Sequence, residues 1–171
     1  AKYSTLETGI YIKDELVEFE PRDIPELNIN ASLPKTFVRM PLSIAKIKYP
    51  SETRPQMIFT SLDTTVNFTF SVYVPLDQVK RVAEQMKAML KKVNPANIFY
   101  DLQAEVAENR ALCWFNYKSY AIDDQIYTIM YLLAAEKGKI LHGTFSCRFD
   151  SMNEWNRAAI QVIQSVKVMD T

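Results

Sequence analysis

The clearest pattern of apolar and polar positions lies at residues 57–74, MIFTSLDTTVNFTFSVYV. Val66, Phe68, Phe70, Val72 and Val74 alternate with Asn67, Thr69, Ser71 and Tyr73. A period of two is the mark of a strand with one buried face. Leu62-Asp63-Thr64 interrupts the run, so a hairpin is predicted there. After Pro75 the period changes: Leu76, Val79, Ala83, Met86, Leu90 and Val93 recur at steps of three and four and make one apolar stripe. Pro75 suits a first helical position, Asp77 favours the positive end of the helix dipole, and Lys91 and Lys92 complement the negative end. Asn94-Pro95 stops the helix. About 19 residues at 1.5 Å per residue give roughly 28 Å, enough to cross a sheet.

Residues 98–149 read as four long antiparallel strands with turns near Asn109-Arg110, Asp123-Asp124 and Lys137-Gly138. Symmetric closure sets Val106 against Cys113, Ala104 against Phe115 and Leu102 against Tyr117. It also sets Cys113 near Leu132, and Leu132 near Gly143. One face then collects Ile98, Leu102, Val106, Cys113, Phe115, Met130, Leu132, Leu141, Phe145, Cys147 and Phe149. The other is polar at its edge (Asp101, Gln103, Glu105) and apolar at its centre (Trp114, Ile129, Tyr131, Leu133). A sheet apolar on both sides needs two covers. The second is supplied after Ser151-x-x-Glu154, which has the form of a capping box. Met152, Trp155, Ala159, Val162, Ile163 and Val166 fall in one helical sector. The expected fold class is α+β: an antiparallel meander with helices on both faces, an α/β/α sandwich.

Before this core, residues 1–34 carry scattered acids, Pro21, Pro25 and Pro34, and strand-like pieces such as 27–33. They read as an irregular or short-stranded lead-in to a core at 35–168, the whole 1–171 forming one domain. Twenty basic and twenty acidic side chains cancel, so no global field collects nucleic acid. Three glycines in 171 residues argue against phosphate loops and dinucleotide fingerprints. No apolar run approaches the ~20 residues of a membrane span, and residues 1–20 contain no leader pattern.

The candidate chemistry is sparse. In the register above, Cys147 lies opposite about Thr128 and thence about Tyr117, four residues from Cys113. That leaves the thiols two strands and about 13 Å apart, too far for a disulfide, so both read as packing on one apolar face. His142, the only histidine, falls on the opposite face; neither a zinc site nor a catalytic triad can be assembled around it. Asp123-Asp124 suits a turn. The triplets Asn30-Ala31-Ser32 and Asn67-Phe68-Thr69 fit the glycosylation pattern, the second inside a strand, and both are discounted. No catalytic residue, metal ligand or cofactor site is predicted. The aromatic group Trp114, Tyr120, Tyr127 and Tyr131 shares the less apolar face. Under a full helical cover it is core; under a partial one it is an aromatic groove for a protein or peptide. A small-ligand pocket lined by Tyr117, Met130 and Phe145 is the alternative.

The strand pair at 57–74, the VPLDQV lead into the first helix, the long meander and the closing GTFSCRFDSMNEWNRAAIQVIQS resemble one superfamily across residues 35–168. It is shared by PsbP, the extrinsic subunit of photosystem II, a small Ran-binding nuclear import factor, bacterial domains and secretion-effector chaperones. No residue here matches the plant subunit's metal or photosystem contacts or the import factor's Ran-binding acids. The resemblance implies a non-enzymatic, protein-binding accessory or chaperone-like domain without cofactor, the alternative being a small-ligand carrier or enzyme with a pocket between sheet and helix. Two unpaired thiols favour the cytoplasm; export, with a leader or anchor removed, is the other expectation.

Overall fold

The structure, a computed structural model, describes residues 2–169. The lead-in is built of paired strands rather than irregular chain. β1 (Ser4–Thr5), β2 (Gly9–Ile12) and β3 (Glu15–Val17) form one small antiparallel sheet. β4 (Phe19–Ile24) and β5 (Ile29–Pro34) form a second, turning at Asn28, whose φ of 56° suits asparagine better than most residues. Then follow β6 (Val38–Arg39), α1 (Leu42–Lys48), β7 (Met57–Thr60), β8 (Asn67–Tyr73) and α2 (Val79–Val93). The remainder is β9 (Ile98–Phe99), β10 (Gln103–Ala107), β11 (Arg110–Tyr120), β12 (Gln125–Ala134), β13 (Ile140–Arg148), α3 (Met152–Ser165) and β14 (Lys167–Val168). β14 returns to pair with β5.

The hairpin predicted around Leu62-Asp63-Thr64 forms as β7 and β8. Asp63 Oδ1 accepts from Ser61 Oγ at 2.7 Å, from Thr65 Oγ1 at 2.8 Å and from the Thr65 N–H at 3.1 Å, which holds the turn and keeps the carboxyl below its ordinary pKa. The main sheet runs β10-β11-β12-β13-β8-β7-β6, antiparallel throughout. The hairpin therefore continues the meander at its far edge. α2 connects β8 to the opposite edge; its 15 residues span about 22 Å, close to four strand spacings of about 4.8 Å.

Three expectations about register are corrected. The β10–β11 turn falls at Glu108-Asn109, both at positive φ (51° and 63°) as a tight hairpin demands, so Ala104 rather than Val106 opposes Cys113. A slip of two leaves every side chain on its face. The β12–β13 connection is an odd loop, Ala135 to Lys139, with Lys137 (φ 55°) and Gly138 (φ 72°) left-handed. It sets Leu132 opposite His142 instead of Gly143. A slip of one exchanges faces. Leu141, Phe145 and Cys147 thus join Trp114 and Tyr131, while His142 joins Cys113. The thiols sit on opposite sides of the sheet, and the imidazole shares a side with one of them. Finally, the first meander strand is broken: Phe99 pairs with Tyr117 but Gln103 with Trp114, so one extra residue bulges between β9 and β10. The bulge carries Ile98 to the Trp114 face.

Helix ends also differ. α2 starts at Val79, not Pro75, because the chain after Pro75 bends at Leu76 and Asp77 and Gln78 is still extended. Leu76, expected in the apolar stripe, is fully exposed. The capping box at Ser151 does not form: a 3₁₀ turn over Phe149–Ser151 feeds α3, and Ser151 Oγ donates to Asp150 Oδ1 instead.

Val79, Val82 and Ala83 of α2 pack with Cys113, Leu132 and Ile140. The largest cluster joins Trp155, Ala158, Ala159, Val162 and Ile163 of α3 to Phe68, Phe70, Ile129, Tyr131 and Phe145 of the sheet and to Ile24, Ile29, Ala31 and Leu33 of the lead-in. Ser165 Oγ accepts from the Ser32 N–H at 3.1 Å, tying the end of α3 to β5. Among the described residues no helix is long and apolar enough to cross a membrane.

Candidate functional site

Alternation places Trp114 and Tyr120 of β11 on the same face as Tyr127 and Tyr131 of β12, as the register Trp114–Tyr131 and Lys118–Tyr127 requires. Their environments differ. Tyr131 and Tyr127 are each 1% exposed. The Tyr131 ring lies across Gly143, its partner on β13, and occupies the space a Cβ would need. The Tyr127 hydroxyl accepts from Asn116 Nδ2 at 2.7 Å and donates to Asn156 Oδ1 of α3. Burial raises both phenols above their ordinary pKa. Trp114 is half-buried at the edge of the large cluster. Tyr120 stands 48% exposed. α3 thus covers two of the four rings, and the aromatic face emerges toward the β11–β12 turn.

At that end the side chains make an open rim. Lys118 Nζ lies 4.1 Å from the centroid of the Phe149 ring and 5.3 Å from that of Tyr120, a cation held over two aromatic faces. Beside it is a cleft of about 460 Å³ lined by Tyr120, Ile122, Asp123, Asp124, Phe149 and Asp150. Ile122 is fully exposed. Arg148 reaches Asp124 at 3.4 Å and Asp150 at 3.8 Å, so one guanidinium balances two of the three carboxylates. Lys118, Ile122 and Phe149 were missed from the sequence. The legible signal was Ile122, an aliphatic residue next to the Asp123-Asp124 turn with no core to join.

The two thiols and the imidazole lie apart. Cys113 and Cys147 are unpaired and buried; burial raises the Cys113 thiol and pushes Cys147 up to about 12. His142 and Cys113 share a face but are separated by Leu132, two strand spacings or about 9.6 Å. Burial lowers the His142 pKa, and its Nε2 is shut from solvent with no hydrogen-bond partner. Among the described residues no three histidine, cysteine, aspartate or glutamate side chains are grouped to hold a metal ion. Tyr117 and Met130 lie on the Cys113 face and Phe145 on the other, so the three cannot line one pocket.

Solved structures share this arrangement over nearly the whole chain. Cyanobacterial PsbP from Synechocystis sp. PCC 6803 superposes with a TM-score of 0.61 at 10% identity, covering 94% of this chain and 98% of that one. LpqN of Mycobacterium tuberculosis, described as involved in cell envelope biogenesis, gives 0.60 at 11% identity, covering 99% and 100%. The Saccharomyces cerevisiae Ran-binding protein Mog1p gives 0.55 at 9% identity, covering 90% and 97%. No protein-family model and no curated protein matches this sequence. The chain has the PsbP-like α+β fold; at these identities the likeness is one of fold.

Proposed function

We propose that the chain is a non-catalytic accessory domain, an α/β/α sandwich with α2 on the Cys113 face and α3 on the Trp114 face, that docks another protein or peptide. Its docking site is the rim where the aromatic face leaves the cover of α3. One observation carries this reading: Tyr120 and Ile122 stand in solvent beside the Lys118–Phe149 stack, at a cleft, in positions no packing requirement explains. An exposed tyrosine and an exposed aliphatic side chain beside a cleft are anchors of the kind that bind a partner. Fold neighbours described as a Ran-binding protein and as a cell-envelope factor agree with an accessory role. Two buried free thiols favour the cytoplasm as its compartment.

The test is co-purification from the native host with mass-spectrometric identification, comparing the natural chain with Tyr120→Ala/Ile122→Ser. A specific partner is expected with the first and a loss of at least about tenfold with the second. Stability should move by no more than about 0.5 kcal/mol, since both side chains are exposed. Retention of the partner by the variant removes the rim as the site.

A further inference from the structure

Charges that cancel over the whole chain are segregated in space. α1 and α2 carry Lys46, Lys48, Lys80, Arg81, Lys87, Lys91 and Lys92 against one acid, Glu84. Residues 2–35 hold seven acids against four bases. Both helices lie on the same side of the sheet. Ala45 of α1 packs with Ile58, whose partners Thr69, Thr144, Met130 and Phe115 alternate with the Trp114 row, and α2 packs on Cys113 and Leu132. Of the seven cations only Arg81 has an ion pair among the described residues, with Asp77 at 3.8 Å.

The same two helices also expose aliphatic side chains. Leu42 is 61% exposed, Ile47 79%, Met89 58% and Val93 68%. Neither helix contains an aromatic residue, and six of the seven cations are lysines. Protein interfaces are enriched in aromatics and arginine and depleted in lysine. Lysines interleaved with exposed aliphatics suit an anionic bilayer surface, where ammonium groups meet headgroups and their stems and neighbours enter the acyl boundary. We infer that the α1/α2 face docks on membranes containing anionic lipid, independently of the protein-binding rim.

The experiment is co-sedimentation of the full chain with vesicles of phosphatidylcholine alone or with three parts in ten of phosphatidylglycerol. Partition onto the anionic vesicles is expected at low salt, with release at high salt and none onto phosphatidylcholine alone. Lys46→Glu/Lys80→Glu/Lys92→Glu should lower partition by about a hundredfold or more, at roughly fivefold per lysine. Lys13→Glu/Lys35→Glu, in the acidic lead-in, should leave it unchanged. Ile47→Ser/Met89→Ser should lower it severalfold at constant charge. Absence of partition at low salt overturns the inference, as does an equal loss from both sets of charge reversals. Full competition by soluble poly-glutamate, with no effect of the aliphatic variant, overturns it in favour of an acidic protein partner.

Discussion

Gly143 and Tyr131 face each other across β13 and β12, and one hydrogen atom in place of a methyl group lets the buried ring lie flat on the neighbouring strand. Gly143→Ala should cost about 1–3 kcal/mol, because a ring that is 1% exposed has nowhere to retreat; urea unfolding measures this. His142 makes a second residue-scale prediction. Burial holds its imidazole below the ordinary 6.5, so over that interval the unfolded chain binds a proton that the folded chain refuses. Stability contributed by the neutral ring is complete above about pH 6.5 and is lost as pH falls from there through the folded value. Unfolding between pH 8 and 5 should show a larger decline for the natural chain than for His142→Phe; equal declines refute the assignment. Neither role was legible in the sequence, since each depends on a register that places the residue beneath a particular neighbour.

Among elements, those whose pattern repeats locally were readable. Alternation gave β8 and the two central strands β11 and β12, the turn at Leu62-Asp63-Thr64 gave β7 as the partner of β8, and the three-four spacing gave the body of α2 and of α3. Connections were not readable to the same degree. Whether the β12–β13 loop holds an even or an odd number of residues changes no local pattern, yet it decides which face receives Phe145, Cys147 and His142. The start of α2 was misplaced because Pro75 is as acceptable in a loop as at a helix start. α3 bears the strongest element-scale prediction. Trp155 is 7% exposed, with its ring centroid 5.9 Å from Phe37 and 5.8 Å from Phe145, so it joins the helix to both the lead-in connection and the sheet. Trp155→Ala should cost about 3–5 kcal/mol in chemical denaturation. A cost under 1 kcal/mol means that α3 is not anchored there.

At the scale of the molecule, the lead-in is a structural part of the core. Ile24, Ile29, Ala31 and Leu33 are at most 1% exposed, and the Arg22 guanidinium donates to the carbonyls of Pro34, Lys35 and Phe37. A chain lacking residues 2–35 should lose its cooperative heat-unfolding transition and bind a hydrophobic dye, because the apolar surface of α3 and the sheet loses its cover. A cooperative transition in the truncated chain refutes this. The four aromatic site candidates show the same division of information. That they share a face followed from alternation alone, while which of them reach solvent depended on how far α3 extends over the sheet.

By itself the sequence determined periodicities, and through them the strands, the helices and the absence of any local signature for nucleotide or metal chemistry. Those are properties of neighbours along the chain, fixed by backbone geometry and by the partition of apolar side chains. Only the tertiary structure decided that β8 lies beside β13, that β14 closes on β5, that the thiols are on opposite faces, and that basic residues of α1 and α2 gather on one side. Each of these is a meeting of segments distant in sequence. Packing and loop length select it, and no window of consecutive residues contains it.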